Sequence, residues 1–111
     1  MAGFNNSLGL KPGEVAGEVV LDTRPEHEVG PGFVHFAVIA TVAEVAAAGA
    51  AGASVVPAQI SLSLLSPAKS GRLVGRGKVI RRGKRLIVAE GEVWQSDALV
   101  AKATVTFAVI Q

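Results

Sequence analysis

From Phe33 to Val56 the chain runs for 24 residues with two ionisable side chains, His35 and Glu44. A stretch this apolar must lie inside something, either a bilayer or a protein core, and its length alone would span a membrane. Its composition argues otherwise. It is built from Ala and Gly rather than Leu and Ile, it lacks flanking basic loops, and a carboxylate near its centre would cost roughly 2.5–3.5 kcal/mol on insertion. The run therefore predicts a helix from about Val34 to Ala50, buried in a soluble protein. Gly49 and Gly52 are its stops, and Pro57 ends the connection.

The rest of the chain must cover that helix, and it reads as strand. Glu14–Thr23 is a first strand, followed by a turn-rich loop over residues 24–32. Gln59–Ser66 alternates, with Ile60, Leu62 and Leu64 on one face. Leu73–Ile80, Arg85–Gln95 and Leu99–Ile110 follow, separated by short turns, so neighbouring strands run antiparallel. Three of these strands carry small residues in the middle of an apolar face: Gly75 and Gly77, Ala89 and Gly91, Ala101 and Ala103. Glycine weakens a strand unless something approaches closely, and a thin Ala/Gly helix is what could approach. The expected fold is α+β, a curved antiparallel sheet of five to six strands wrapped around one long central helix.

Composition narrows the chemistry. The 111 residues make one domain, 1–111, because two would leave neither half enough core. Half the residues are hydrophobic, which excludes disorder. No Cys is present, which removes disulfides and a thiol nucleophile. Two His and two Asp leave little for a metal site, and none is expected. A net charge of +2 and four Phe with one Trp are too few for a nucleic-acid surface. The pI near 9.4 keeps a small anionic partner open. The first residues lack a signal peptide's pattern, so the expected location is cytoplasmic.

The order of elements meets a family here. A strand, a loop ending in His35, a helix with an acidic residue nine positions later and a four-strand meander resemble the hotdog fold. The chain is similar to small acyl-CoA thioesterases of the phenylacetate-degradation and 4-hydroxybenzoyl-CoA thioesterase type. Their pattern Gly-x-x-His-Gly-Gly, then six residues and an acid, is matched by Gly32, His35 and Glu44, with Phe36 and Ala37 in place of the two glycines. Val29 stands where Asn or Gln is common. Ser63–Leu73 (SLLSPAKSGRL), Val79–Trp94 (VIRRGKRLIVAEGEVW) and Leu99–Phe107 (LVAKATVTF) resemble the family's remaining segments.

The resemblance implies an acyl-CoA substrate, no cofactor, and roles for particular residues. Glu44 would be general base on water or nucleophile on the thioester carbon. The backbone N–H of Phe36 would polarise the thioester carbonyl at the helix N-terminus. His35, at the helix entrance, is a secondary catalytic candidate, expected mainly to hydrogen-bond the preceding loop. His27 is expected at the surface. Arg81, Arg82, Lys84 and Arg85, around Gly83, suit coenzyme A phosphates, and ordinary hairpin charge is the alternative. Phe36 and Glu44 are eight residues apart, about 12 Å along a helix, so one chain cannot bring both to one carbon. Two antiparallel helices can, which implies a homodimer with two composite sites or, as in the family, a homotetramer. The rivals are a hotdog protein that binds acyl-CoA without turnover and a structural oligomer module. The hotdog hydratases are disfavoured, since their Asp-x-Asn-Pro-x-His motif is missing.

Overall fold

The central helix is narrow, and the sheet is shaped to take it. The computed structural model describes residues 1 and 3–110. A short helix α1 (Gly3–Leu8) leads into β1 (Lys11–Pro12) and β2 (Glu18–Asp22). A 3-10 turn, Pro25–His27, and a small hairpin of β3 (Glu28–Gly30) and β4 (Phe33–Val34) follow. The long helix α2 is Phe36–Ala51. The chain then runs through β5 (Val55–Leu64), β6 (Arg72–Arg82), β7 (Leu86–Gln95) and β8 (Ala98–Val109). Six strands form one antiparallel sheet in the order β1-β2-β6-β7-β8-β5, and α2 packs across it on β6, β7 and β8. This is the hotdog architecture.

The sheet glycines sit where the helix touches. A Cβ added at Gly77 would strike the Ala46 carbonyl, and one at Gly91 the Ala43 carbonyl; at Gly75 it would lie 2.8 Å from Val42 Cγ1. Val42, Ala43, Ala46 and Ala47 are buried against Leu73, Ala89, Val93, Ala103, Val105 and Phe107. The helix is closed at both ends. His35 Nδ1 accepts from the Ala37 N–H at 3.0 Å, and Gly52 terminates it in the left-handed region at φ 64°. Arg82 Nη1 donates to the Ala51 carbonyl at 2.7 Å.

Several boundaries differ from the sequence expectation. The first strand begins at Glu18 rather than Glu14, because Gly17 at φ 79° turns the chain out of the extended region. The helix begins at Phe36 rather than Val34, because Val34 pairs with Glu28 and donates its N–H to the Ala68 carbonyl. β5 begins at Val55 rather than Gln59. It carries Pro57 inside it, beside a register shift, a placement an edge strand permits. Ile60, Leu62 and Leu64 lie opposite Val105, Ala103 and Ala101, on the helix side of the sheet. Ile60 and Leu64 are nevertheless 42% and 53% exposed, because β5 is the edge strand and α2 covers it only in part. Where β7 pairs with β8, a register shift at Val93/Trp94 turns Val100 inward beside Ala101 and leaves Leu99 half-buried.

Candidate active site at the start of the central helix

The loop before α2 is zipped to the loop after β5. Ser70 N–H donates to the Gly32 carbonyl. Glu28 accepts from the Gly32 N–H and from the Ser70 hydroxyl, at 3.1 and 2.7 Å. These two donors hold the Glu28 carboxyl below its usual range, Ser70 first and Gly32 second. Gln95 clamps the same segment by accepting from the Lys69 N–H and donating to its carbonyl. Between the two loops lies a pocket of about 330 Å³ whose walls come from the first turn of α2, Phe33 and the end of β5.

His27 is not at the surface. It is 3% exposed; its Nδ1 accepts the Arg24 N–H at 3.0 Å, and its Nε2 lies 3.3 Å from Arg24 Nη2. Its carbonyl accepts the His35 N–H at 2.9 Å. His27 is a structural plug beneath the helix start. Two contacts bury it that no local pattern announces: the Arg24 turn, and the return of the chain to it at His35.

His35 itself caps α2. Its Nδ1 takes the Ala37 N–H, and its carbonyl takes those of Val38 and Ile39. Its ring stacks on Phe36, centroids 4.8 Å apart. The Phe36 N–H is different: among the described residues it has no acceptor. It stands at the positive end of a 16-residue helix, the arrangement that polarises a carbonyl or binds an anion. The Phe36 ring is 55% exposed and turned to the pocket wall.

Glu44 lies two turns further along. It is half-buried, and burial alone pushes its carboxyl above the usual glutamate range. A base working near neutrality benefits from such a shift. The structure thus joins His35 and Phe36 at one point and sets Glu44 apart on the same helix.

The basic hairpin is elsewhere. Arg82 is committed to the Ala51 carbonyl at the far end of α2, about 24 Å from Phe36 for 16 residues. Arg81, Lys84 and Arg85 are exposed and line a hollow of about 560 Å³ with Leu86 and Val88. Arg72, the first residue of β6, is held by Asp22 at 2.8 and 3.1 Å. Leu64 and Leu65 in the pocket wall belong to no motif; the alternation of Gln59–Ser66 marked Leu64 as apolar-facing, and nothing marked either as lining a pocket. Among the described residues no group of His, Asp and Glu could hold a metal ion, and no helix is long and apolar enough to cross a membrane.

A helix-wrapped sheet with an unengaged N–H at the helix start and an acid further along it defines a hotdog protein of thioesterase type. The Thioesterase superfamily profile matches residues 31–102, more than half of the chain, and the chain belongs to that superfamily. A variant of the phenylacetic acid degradation protein PaaI from Thermus thermophilus is 26% identical, with a TM-score of 0.86 over 96% of this chain and 98% of that one. A phenylacetic acid degradation-related protein from Ralstonia eutropha is 29% identical, with a TM-score of 0.80 over 95% and 88%. A conserved protein from Pseudomonas aeruginosa, 24% identical, shares the fold at a TM-score of 0.88 over 99% and 95%. No curated protein matches the chain in sequence.

Proposed function

We propose that the protein hydrolyses an acyl-CoA thioester to the free acid and coenzyme A. The observation that carries this is the unengaged Phe36 N–H at the N-terminus of a helix that also bears a half-buried Glu44, whose carboxyl burial pushes above its usual range. The carbonyl oxygen takes the Phe36 N–H, which stabilises the oxyanion as the carbon becomes tetrahedral. As base, Glu44 removes a proton from water while the water oxygen bonds to the thioester carbon. The C–S bond then breaks, and the sulfur leaves as the thiol with that proton. As nucleophile, Glu44 would bond to the thioester carbon, the C–S bond would break with coenzyme A leaving as the thiolate, and water would open the resulting mixed anhydride to free acid and Glu44. His35 positions Phe36 by capping the helix. No cofactor enters.

The site is completed by a second subunit. Phe36 and Glu44 of one helix are too far apart for one carbon, and an antiparallel partner helix supplies the missing group. Two features support dimerisation. The α2 surface away from the sheet presents Ala37, Ala40 and Thr41 beside Glu44. β5 pairs with β8 along one edge, and its ten residues carry no charge to guard the other. Helix reversal also carries the partner's basic hairpin, at the end of its α2, towards Phe36. That is where Arg81, Lys84 and Arg85 would meet coenzyme A phosphates, with Arg82 retained by the helix. The dimers pair into a tetramer in the same reading, and a CoA substrate places the protein in the cytoplasm.

Release of free thiol from a panel of acyl-CoAs tests the activity directly. A second reading, acyl-CoA binding without turnover, draws on Phe36–Ala37 in place of two glycines and on the exposed Val29. Retained acyl-CoA with no thiol release would select it. Neither turnover nor retention would leave an oligomeric scaffold.

A further inference from the structure

The pocket between α2 and β5 is lined almost wholly by apolar side chains. Phe33, Phe36, Ile39, Leu64 and Leu65 form its walls, and Ser66 supplies the one side-chain hydroxyl. Ser66 and Pro67 also line the neighbouring polar cleft, so they form the ridge between the two. Three backbone donors of the wall are spent: Val34 N–H goes to the Ala68 carbonyl, and Leu65 and Ser66 N–H both go to the Val100 carbonyl. Phe36 contributes twice, its N–H to the carbonyl position and its ring to the wall. At about 330 Å³ the space is at the low end for ligand pockets, about 300–1,000 Å³.

We propose that this pocket is the acyl subsite, that it selects small acyl groups without polar substituents, and that the Phe36 and Leu64 side chains set its size limit. The proposal rests on the thioesterase reading and adds the substrate class. The carbonyl occupies the Phe36 N–H, so the acyl group must leave it along the adjoining wall. An unsubstituted ring or short chain meets mainly carbon on the walls this protomer supplies. A hydroxylated ring loses its water and regains no deep partner, and a long chain runs out of room.

The test uses benzoyl-CoA, 4-hydroxybenzoyl-CoA, hexanoyl-CoA and palmitoyl-CoA with wild type, Phe36→Ala and Leu64→Ala. Both variants keep every backbone donor. Wild type should favour benzoyl over 4-hydroxybenzoyl by roughly 10–100-fold in kcat/KM, the range of selectivity an apolar pocket achieves against an added hydroxyl. It should hydrolyse hexanoyl and refuse palmitoyl. Each variant should raise the relative rate on palmitoyl at least about tenfold while losing rate on hexanoyl. Equal or better use of 4-hydroxybenzoyl-CoA overturns the proposal. So does a chain-length limit unmoved by both variants, above all if Phe36→Ala lowers the mass by light scattering, which would make the pocket an interface between copies. Calorimetry with the same thioesters separates the two claims. No turnover with benzoyl-CoA bound tighter than 4-hydroxybenzoyl-CoA removes the hydrolase and keeps the pocket. Neither turnover nor that order of binding removes both.

Discussion

Glu44 sets stability against activity, and pH separates the two. Its folded value lies above the ordinary one through burial, so between those two values the native state holds more protons than the unfolded chain. Stability therefore falls as pH rises through that window, because the carboxylate must ionise where water is scarce. Activity moves the other way, since a base works only when deprotonated. Glu44→Gln keeps the shape and removes both effects. The variant should lose roughly 10²–10⁴-fold in hydrolysis and retain acyl-CoA binding. Its melting temperature should exceed that of wild type at neutral pH, with the gap closing in acid. Thermal melts and rates across pH check this. A gap that persists unchanged below the ordinary glutamate range would show that Glu44 destabilises by something other than its charge, and unaltered hydrolysis would remove its catalytic role.

At the scale of elements, the contact between helix and sheet is backbone against backbone, and it was visible in the sequence. An uncharged Ala-rich run and three strands with small residues at their centres could satisfy each other in one way, and Gly77 and Gly91 meet the Ala46 and Ala43 carbonyls. Gly91→Ala should therefore destabilise the fold by about 3 kcal/mol or more, at the upper end of overpacking, measured by urea denaturation. A loss below about 1 kcal/mol would mean that α2 rides higher on the sheet. Arg82 belongs to this scale as well. Arg82→Ala should lower stability by about 0.5–1.5 kcal/mol through one lost hydrogen bond and leave KM for acyl-CoA alone. Replacing Arg81, Lys84 and Arg85 together should raise KM far more than it lowers kcat. Both are read by steady-state kinetics and melts, and the reverse pattern would move the phosphate site onto Arg82. Sequence alone could not divide these four residues, because what separates them is the Ala51 carbonyl, 31 residues away from Arg82. His27 was hidden for another reason: the groups that hold it, Arg24 and His35, are near in sequence, but the polar loop around it has no periodicity from which burial could be read. Periodicity reports which residues share a face, and here it found the core and the helix carrying Glu44. Which loop folds over which residue is long-range information, and it fixed the pocket and the fate of Arg82.

For the whole molecule, the separation of Phe36 and Glu44 along one helix makes catalysis a property of two chains. Light scattering at micromolar concentration should give at least a dimer. A composite site makes a sharper statement, because each half can be disabled without unfolding its subunit. Phe36 is the first residue of α2, and His35 before it is extended at φ −64°, ψ 140°. Proline fits such a position, where the preceding residue is already in the region it requires. Phe36→Pro therefore deletes the N–H donor at little structural cost, with Phe36→Ala as the control that loses the ring and keeps the donor. Glu44→Gln deletes the acid. Each homodimer should be inactive. When the two are co-refolded, half the dimers are mixed, and each mixed dimer holds one site with both groups intact and one with neither. Activity should return to about a quarter of the wild-type value, as two-fold symmetry requires of groups that meet across the axis. If Phe36 and Glu44 served the same site from one chain, every site in the mixture would lack one group, and no activity would return.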